Sequence, residues 1–330
     1  MRDWLKQNLK SICIVLRFVV PIACLILLWF FVDIGDSLVM LWQIPMSIVF
    51  ICTGVYLLRN WICGLRWLTL LPLSHNQISR WGAFRYIMVG GLYGLILPGT
   101  IGGDVARSAH VAIEVPENKT SYVISIWLDR SIGLFSILIL GALAGLTSQH
   151  VNNRLYFLLF MAVGILFFLL IVWVTFHPSL HSFILRASSR YKKIQVPLTQ
   201  LLANLRVLAN HHRANKPAVW KALGYCVPIH GLAFLVVYLI AGALDIEVGF
   251  LALSLFTAIS WLATTLPLSF AGVGVRELSF VVMLQTQGIS AELATSLSLG
   301  FFSIMVLTGL AGAFFLLIPH TREPQMTNTA

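Results

Sequence analysis

The chain has 330 residues, of which 58% are hydrophobic and only 10% charged, and its formal net charge is +10. A soluble domain carries roughly a quarter charged residues. Here the runs 18–32, 44–58, 132–146, 155–176, 223–244 and 293–318 hold no Lys, Arg, Asp or Glu, more apolar sequence than one soluble core can bury.

Arg2, Lys6, Lys10 and Arg17 precede the first apolar run. A secretory leader would end in a small-residue cleavage site. This run ends instead in Val32, Asp33, Ile34, Gly35 and Asp36, so it is expected to remain as a first span. With the basic cluster cytoplasmic, the acidic turn at 33–36 faces outside. The span at 44–58 then returns the chain, leaving Arg59, Arg66, Arg80 and Arg85 inside. Arg17 and Arg66 read as helix-end residues that snorkel to the interface. Trp42, Trp61, Trp67, Trp81 and Trp220 read as interface anchors.

Charge decides the next step. If 84–97, 122–146 and 155–176 all cross, the stretch 177–221 lies outside. That stretch holds Arg186, Arg190, Lys192, Lys193, Arg206, Arg213, Lys216 and Lys221 and no acidic residue, against the positive-inside bias. If 84–97 dips into the membrane and returns, the stretch becomes cytoplasmic, where anionic inner-leaflet lipid attracts it. Nucleic acid is not needed to account for it. Within it Leu198, Leu201, Leu202, Leu205 and Leu208 recur at helical spacing. They describe an amphipathic helix, either lying on the inner leaflet or packed on the end of the bundle.

The dip has a break to turn on, through Leu97, Pro98, Gly99, Thr100, Ile101, Gly102, Gly103 and Asp104 to Arg107. A second break runs from Leu266 and Pro267 through Gly272 and Gly274 to Arg276 and Glu277. Both windows open Leu-Pro, place Gly seventh and end in Arg. Broken segments in corresponding halves, entered from opposite sides, are the pattern of an inverted-repeat transporter. The expected fold is therefore an all-α polytopic integral membrane bundle. It has about six full spans, two re-entrant helical hairpins and both termini cytoplasmic, although 251–268 alone is long enough to cross.

Irregular backbone at membrane depth must be buried in protein or line a wet cavity. A helix starting at each break would present free N–H groups to a phosphate, and Arg107 and Arg276 would add a charged fork. Asp104 is either a site residue or an N-cap with Arg107 as its i+3 partner. Asp129 and Arg130 lie too deep to be loop charges. They form either an ion pair, with Arg107 or Glu277 as candidate partners, or a substrate contact.

Cys13, Cys24, Cys52, Cys63 and Cys226 show no CxxC or metal-type spacing and read as reduced packing residues. His177, His181, His211 and His212 have no accompanying carboxylates, so neither a metal nor another cofactor is expected. The sequence has no GxxxxGK[ST], HExxH or GxSxG, which removes a built-in nucleotide motor and the common hydrolase signatures.

Three motifs in order carry a resemblance. They are the Pro98-to-Arg107 break, Asp129-Arg130 in the next helix, and Gly272-Val-Gly274-Val-Arg276-Glu277. Together they resemble the membrane region of the lysylphosphatidylglycerol synthase/flippase family. The family's acidic-Arg pair is commonly Glu-Arg, where this chain has Asp129-Arg130. The resemblance implies a flippase-like transmembrane domain over 1–320 and a short polar tail at 321–330. It also implies movement of an amphipathic lipid, anionic or aminoacylated, between leaflets. The family's synthase half follows the membrane region, and this sequence stops at Ala330, so lysyl transfer is not expected.

The first functional reading is a lipid transporter. Pro98, Gly99, Gly102, Gly103, Asp104, Arg107, Asp129, Arg130, Pro267, Gly272, Gly274, Arg276 and Glu277 would form the head-group site. Movement would be downhill or coupled to an ion or proton gradient, with Asp129 or Glu277 as candidate protonation sites. Two alternatives stay open: a membrane enzyme acting on a lipid-phosphate or lipid-linked sugar with the same carboxylates, and a non-catalytic scaffold for a partner enzyme. A prokaryotic cytoplasmic membrane is the simplest setting, and a homo-oligomer is left open.

Overall fold

A computed structural model describes residues 32–71, 78–97, 102–115, 119–147, 216–265 and 272–317, with a few single residues between 162 and 166. Nine helices are described: α1 (Ile34–Trp42), α2 (Met46–Thr69), α3 (Arg80–Ile96), α4 (Gly102–Glu114), α5 (Lys119–Thr147), α6 (Lys216–Ala243), α7 (Phe250–Thr265), α8 (Val275–Gln285) and α9 (Ala291–Leu316). The described residues contain no strand.

Four helices are long and apolar enough to cross a membrane, with spans over Met46–Thr69, Ser121–Leu146, Pro217–Ala243 and Ala291–Leu316. These coincide with four of the six expected spans. The other two, at 18–32 and 155–176, lie almost wholly outside the described residues, as does the Leu-rich helix expected at 198–208. The basic stretch 177–221 overlaps a span, because α6 already begins at Lys216 and takes in Lys221. Phe50, Leu310 and Phe314 project apolar side chains outward, as lipid-facing positions do.

The helix starts are written locally. Asp33 caps α1, accepting the Asp36 N–H at 3.2 Å, so the acidic pair expected in a loop serves a helix start. Ser79 caps α3 through the Gly82 N–H at 3.0 Å, and Ser290 caps α9.

α3 and α4 form a helical hairpin. Arg85 and Tyr86 near the start of α3 bond Glu114 at the end of α4, Tyr93 faces His110, and Gly94 lies against Gly103. Partners fall in number as α3 advances, so the helices run antiparallel. Backbone contact is close: a methyl group on Gly103 would strike the Gly90 carbonyl. α7 and α8, which flank the second break, also pack on each other. Helices of 17, 13, 16 and 11 residues measure about 25, 20, 24 and 17 Å, each short of a hydrocarbon core about 30 Å thick.

The second half packs as the first does. α3 lies on α9 and α7 on α5, while α2 lies on α6. The last pair runs antiparallel, because Cys52 near the start of α2 meets Val236 far along α6, and Arg66 near its end meets Cys226.

Candidate functional site

A cavity of about 290 Å³ opens between the short helices flanking the two breaks and the long helices. Its walls include Arg59 and Arg66 of α2, Gly103, Asp104 and Arg107 of α4, Asp129 and Arg130 of α5, His230 of α6, and Arg276 of α8.

One side is an ion-pair cluster. Arg66 donates from Nε to Asp129 Oδ1 at 2.8 Å, and Arg107 Nη1 approaches Asp129 Oδ2 at 3.4 Å. Asp104, in the first turn of α4, lies 3.9 Å from Arg107 and 3.7 Å from Arg130. Arg107 stacks over Trp67, 4.2 Å from the ring centroid. Its Nε and Nη2 are buried and make no hydrogen bond. The expected pair of Asp129 with Arg107 is present, whereas Glu277 pairs elsewhere.

The other side is built at the start of α8. Gly272 and Gly274 take φ of +80° and +83°, a left-handed conformation that a side chain disfavours. Glu277 reaches back to the turn, its Oε2 accepting the Gly274 N–H at 2.6 Å. Its Oε1 accepts from Arg276 Nη2 at 2.7 Å and from Ser298 Oγ at 3.1 Å. Arg276 itself is 2% exposed and lies over Phe302, 4.4 Å from the ring centroid.

The two sides share a register. Arg107 contacts Asp129 and Arg276 contacts Ser298, 22 residues downstream in each case. The likeness between the windows at 97–107 and 266–276 thus extends into the following helices, α5 and α9. Where the first half has Asp129, the second has Ser298 and draws its negative charge from Glu277.

Of the residues singled out from sequence, Gly103, Asp104, Arg107, Asp129, Arg130 and Arg276 line the cavity. Gly102 is buried at the start of α4, and Gly272, Gly274 and Glu277 form the turn into α8. Pro98, Gly99 and Pro267 lie outside the described residues, as do Arg17, Cys13, Cys24, His177, His181, His211 and His212.

Two expectations are corrected. Arg66 does not snorkel: its side chain is 8% exposed and held by Asp129. Of its basic neighbours, Arg59 lines the cavity and Arg85 is bound to Glu114 at 2.6 Å. Trp67 is fully buried and donates to Ser125 Oγ at 2.9 Å, although Trp42 and Trp220 do project outward as anchors would. His230, which sequence reasoning passed over, bonds Ser136 at 2.9 Å with its other nitrogen buried and unpartnered. Its signal was a single polar ring in an apolar run. Cys52, Cys63 and Cys226 are buried free thiols. The described residues hold no cluster of three His, Cys, Asp or Glu side chains able to bind a metal.

Residues 13–313 match the family described as Lysylphosphatidylglycerol synthase TM region. The chain belongs to that family. Together with its apolar spans, membership makes it an integral membrane protein of a lipid-related class, as the three ordered motifs implied. No curated protein and no solved structure matches the chain.

Proposed function

We propose that this member of the Lysylphosphatidylglycerol synthase TM region family moves a phospholipid between leaflets, its head group held between two Gly/Pro-broken hairpins and its tails left in the bilayer. The observation that carries this is the charged cavity of about 290 Å³ between the hairpins of an otherwise apolar bundle. That volume suits a head group, and buried charge at membrane depth is costly enough to mark a functional path.

The topology follows. Helices too short to span enter and return, α3–α4 from the cytoplasm and α7–α8 from outside. The antiparallel α2 and α6, and the matched arginine registers, fit an inverted repeat with the site on its interface. Both termini then face the cytoplasm, with the basic stretch 177–221 against anionic inner-leaflet lipid in a prokaryotic cytoplasmic membrane. Arg107 and Arg276 are the phosphate ligands, Asp104 faces any cationic substituent, and Glu277 sets the turn. Movement is downhill or gradient-coupled. The acid–base alternative is disfavoured because Asp129 and Asp104 each face two guanidiniums, so their oxygens are already engaged as ion-pair partners.

The test is head-group accessibility in proteoliposomes carrying fluorescent phospholipids and a membrane-impermeant quencher. Wild type should expose inner-leaflet lipid, while Arg276→Ala and Asp104→Asn, still eluting as folded protein, should not. A wild type indistinguishable from empty liposomes across several lipid classes overturns the reading.

A further inference from the structure

The cavity wall is unbalanced in charge. Five guanidiniums line it, from Arg59, Arg66, Arg107, Arg130 and Arg276, against two carboxylates, from Asp104 and Asp129. Glu277, bonded to Arg276 at 2.7 Å, raises the carboxylates to three. Two positive charges are left over among the described residues. The segments 98–101 and 266–271 of the two breaks carry no ionisable residue in the sequence. Protonation of any carboxylate, or of His230, would only enlarge the excess.

The surplus is also local. Arg59 has no ion-pair partner among the described residues. Its Nη1 donates to the amide oxygen of Asn60 at 3.0 Å, its guanidinium lies over Tyr56 and Trp261, and its buried Nε is unpartnered. Arg107 is 3% exposed and keeps two donors, Nε and Nη2, without acceptors. Cations with buried, open donors are expensive until an anion supplies both charge and acceptors. Aromatic faces hold both planes in place, so their in-plane donors are arranged before any ligand arrives.

We propose that the cavity selects a lipid head group bearing two negative charges, a phosphate monoester or a diphosphate, over a phosphodiester and over any aminoacylated, cationic head group. The proposal rests on the lipid-moving reading and names its substrate class. A phosphate monoester carries about 1.5 to 2 negative charges at pH 7, which matches the surplus. A phosphodiester carries one and leaves a cation unpaired. An added aminoacyl group brings positive charge into a wall already short of carboxylates.

The experiment measures binding to the purified protein in detergent by dihexanoyl phosphatidic acid, dihexanoyl phosphatidylglycerol, its lysyl ester, and free pyrophosphate. Identical short tails leave the head group as the variable. Phosphatidic acid should bind at least about tenfold more tightly than phosphatidylglycerol, the worth of one charged hydrogen bond, and the lysyl ester most weakly. Arg59→Gln should bring the first two within about threefold, since it removes the one cation with no carboxylate to orphan. Arg59→Lys, which keeps the charge without the fork, should retain an intermediate preference and guards against misfolding of the first variant. Equal affinity for the two lipids, or a preference for the lysyl ester, overturns the proposal, and lipid movement in proteoliposomes would then still stand on its own result. Pyrophosphate binding as tightly as phosphatidic acid would overturn the lipid source and support a soluble dianion.

Discussion

Arg66, near the end of α2, and Asp129, within α5, meet at 2.8 Å with both side chains under a tenth exposed. Asp129 turns its second oxygen to Arg107 of α4, so one carboxylate ties three helices together at the cavity wall. Asp129 therefore serves two buried cations, and its loss is felt by both.

That asymmetry predicts unequal variants. Arg66→Gln leaves Asp129 paired with Arg107, whereas Asp129→Asn strands Arg66 and leaves Arg107 only Asp104, 3.9 Å away. Breaking a buried pair costs about 3–5 kcal/mol. Asp129→Asn should fall in that range and Arg66→Gln at roughly half of it, as read from denaturant unfolding in matched detergent. Equal costs would mean that Arg107 does not engage Asp129.

The α3–α4 hairpin depends on backbone contact at Gly103, where an added methyl would meet the Gly90 carbonyl. Gly103→Ala should destabilise by about 2 kcal/mol through overpacking. Gly91 of α3, exposed and with nothing within 4 Å of an added methyl, is the control. Gly91→Ala should be neutral or gain up to about 1 kcal/mol from helix propensity. Thermal unfolding of both variants decides; a Gly103→Ala protein as stable as Gly91→Ala would deny the close approach.

The long spans could be read from the sequence because uncharged runs near span length admit few other structures. The breaks between the short helices were legible for a different reason: Pro and Gly at 98–103 and 267–274 break helices wherever they sit. What could not be read was which face each charge turns to. Arg66 and Trp67 lie next to each other near a helix end, where snorkelling and anchoring are the common uses. Only the packing of α4 and α5 against that end makes one an ion-pair partner and the other a buried platform for Arg107. His230 was missed for a related reason, since its partner Ser136 is 94 residues away.

The proposed topology, with α2 and α6 antiparallel, assigns Arg80, exposed at the start of α3, and Ile113, 77% exposed near the end of α4, to one face, and Asp245 beyond α6 to the other. Single cysteines at Arg80 and Ile113 should react with an impermeant maleimide only in inside-out vesicles, and a cysteine at Asp245 only in right-side-out cells. Background labelling is limited by replacing Cys13 and Cys24 with Ser, because Cys52, Cys63 and Cys226 are buried. Labelling of Asp245 and Arg80 from the same side would refute the proposed topology.

Glu277 is the residue whose chemistry leaves least room for replacement. Its Oε2 accepts the Gly274 N–H, while its Oε1 accepts from Arg276 and Ser298, so each oxygen faces a donor. Glutamine offers one oxygen and one NH₂. Whichever way the amide turns, its own donor confronts either the Gly274 N–H or the Arg276 guanidinium, and Arg276 loses its counter-charge. Glu277→Gln should therefore cost about 3 kcal/mol of stability and slow lipid movement at least about tenfold, equivalent to 1.4 kcal/mol in the step Arg276 serves. Ser298→Ala removes one donor and leaves the Arg276–Glu277 pair intact, so it should cost only about 1 kcal/mol. Unfolding and quencher accessibility measured on both variants separate the two effects. A Glu277→Gln protein that moves lipid at the wild-type rate would remove the α8 turn from the head-group site, even if its stability fell as expected.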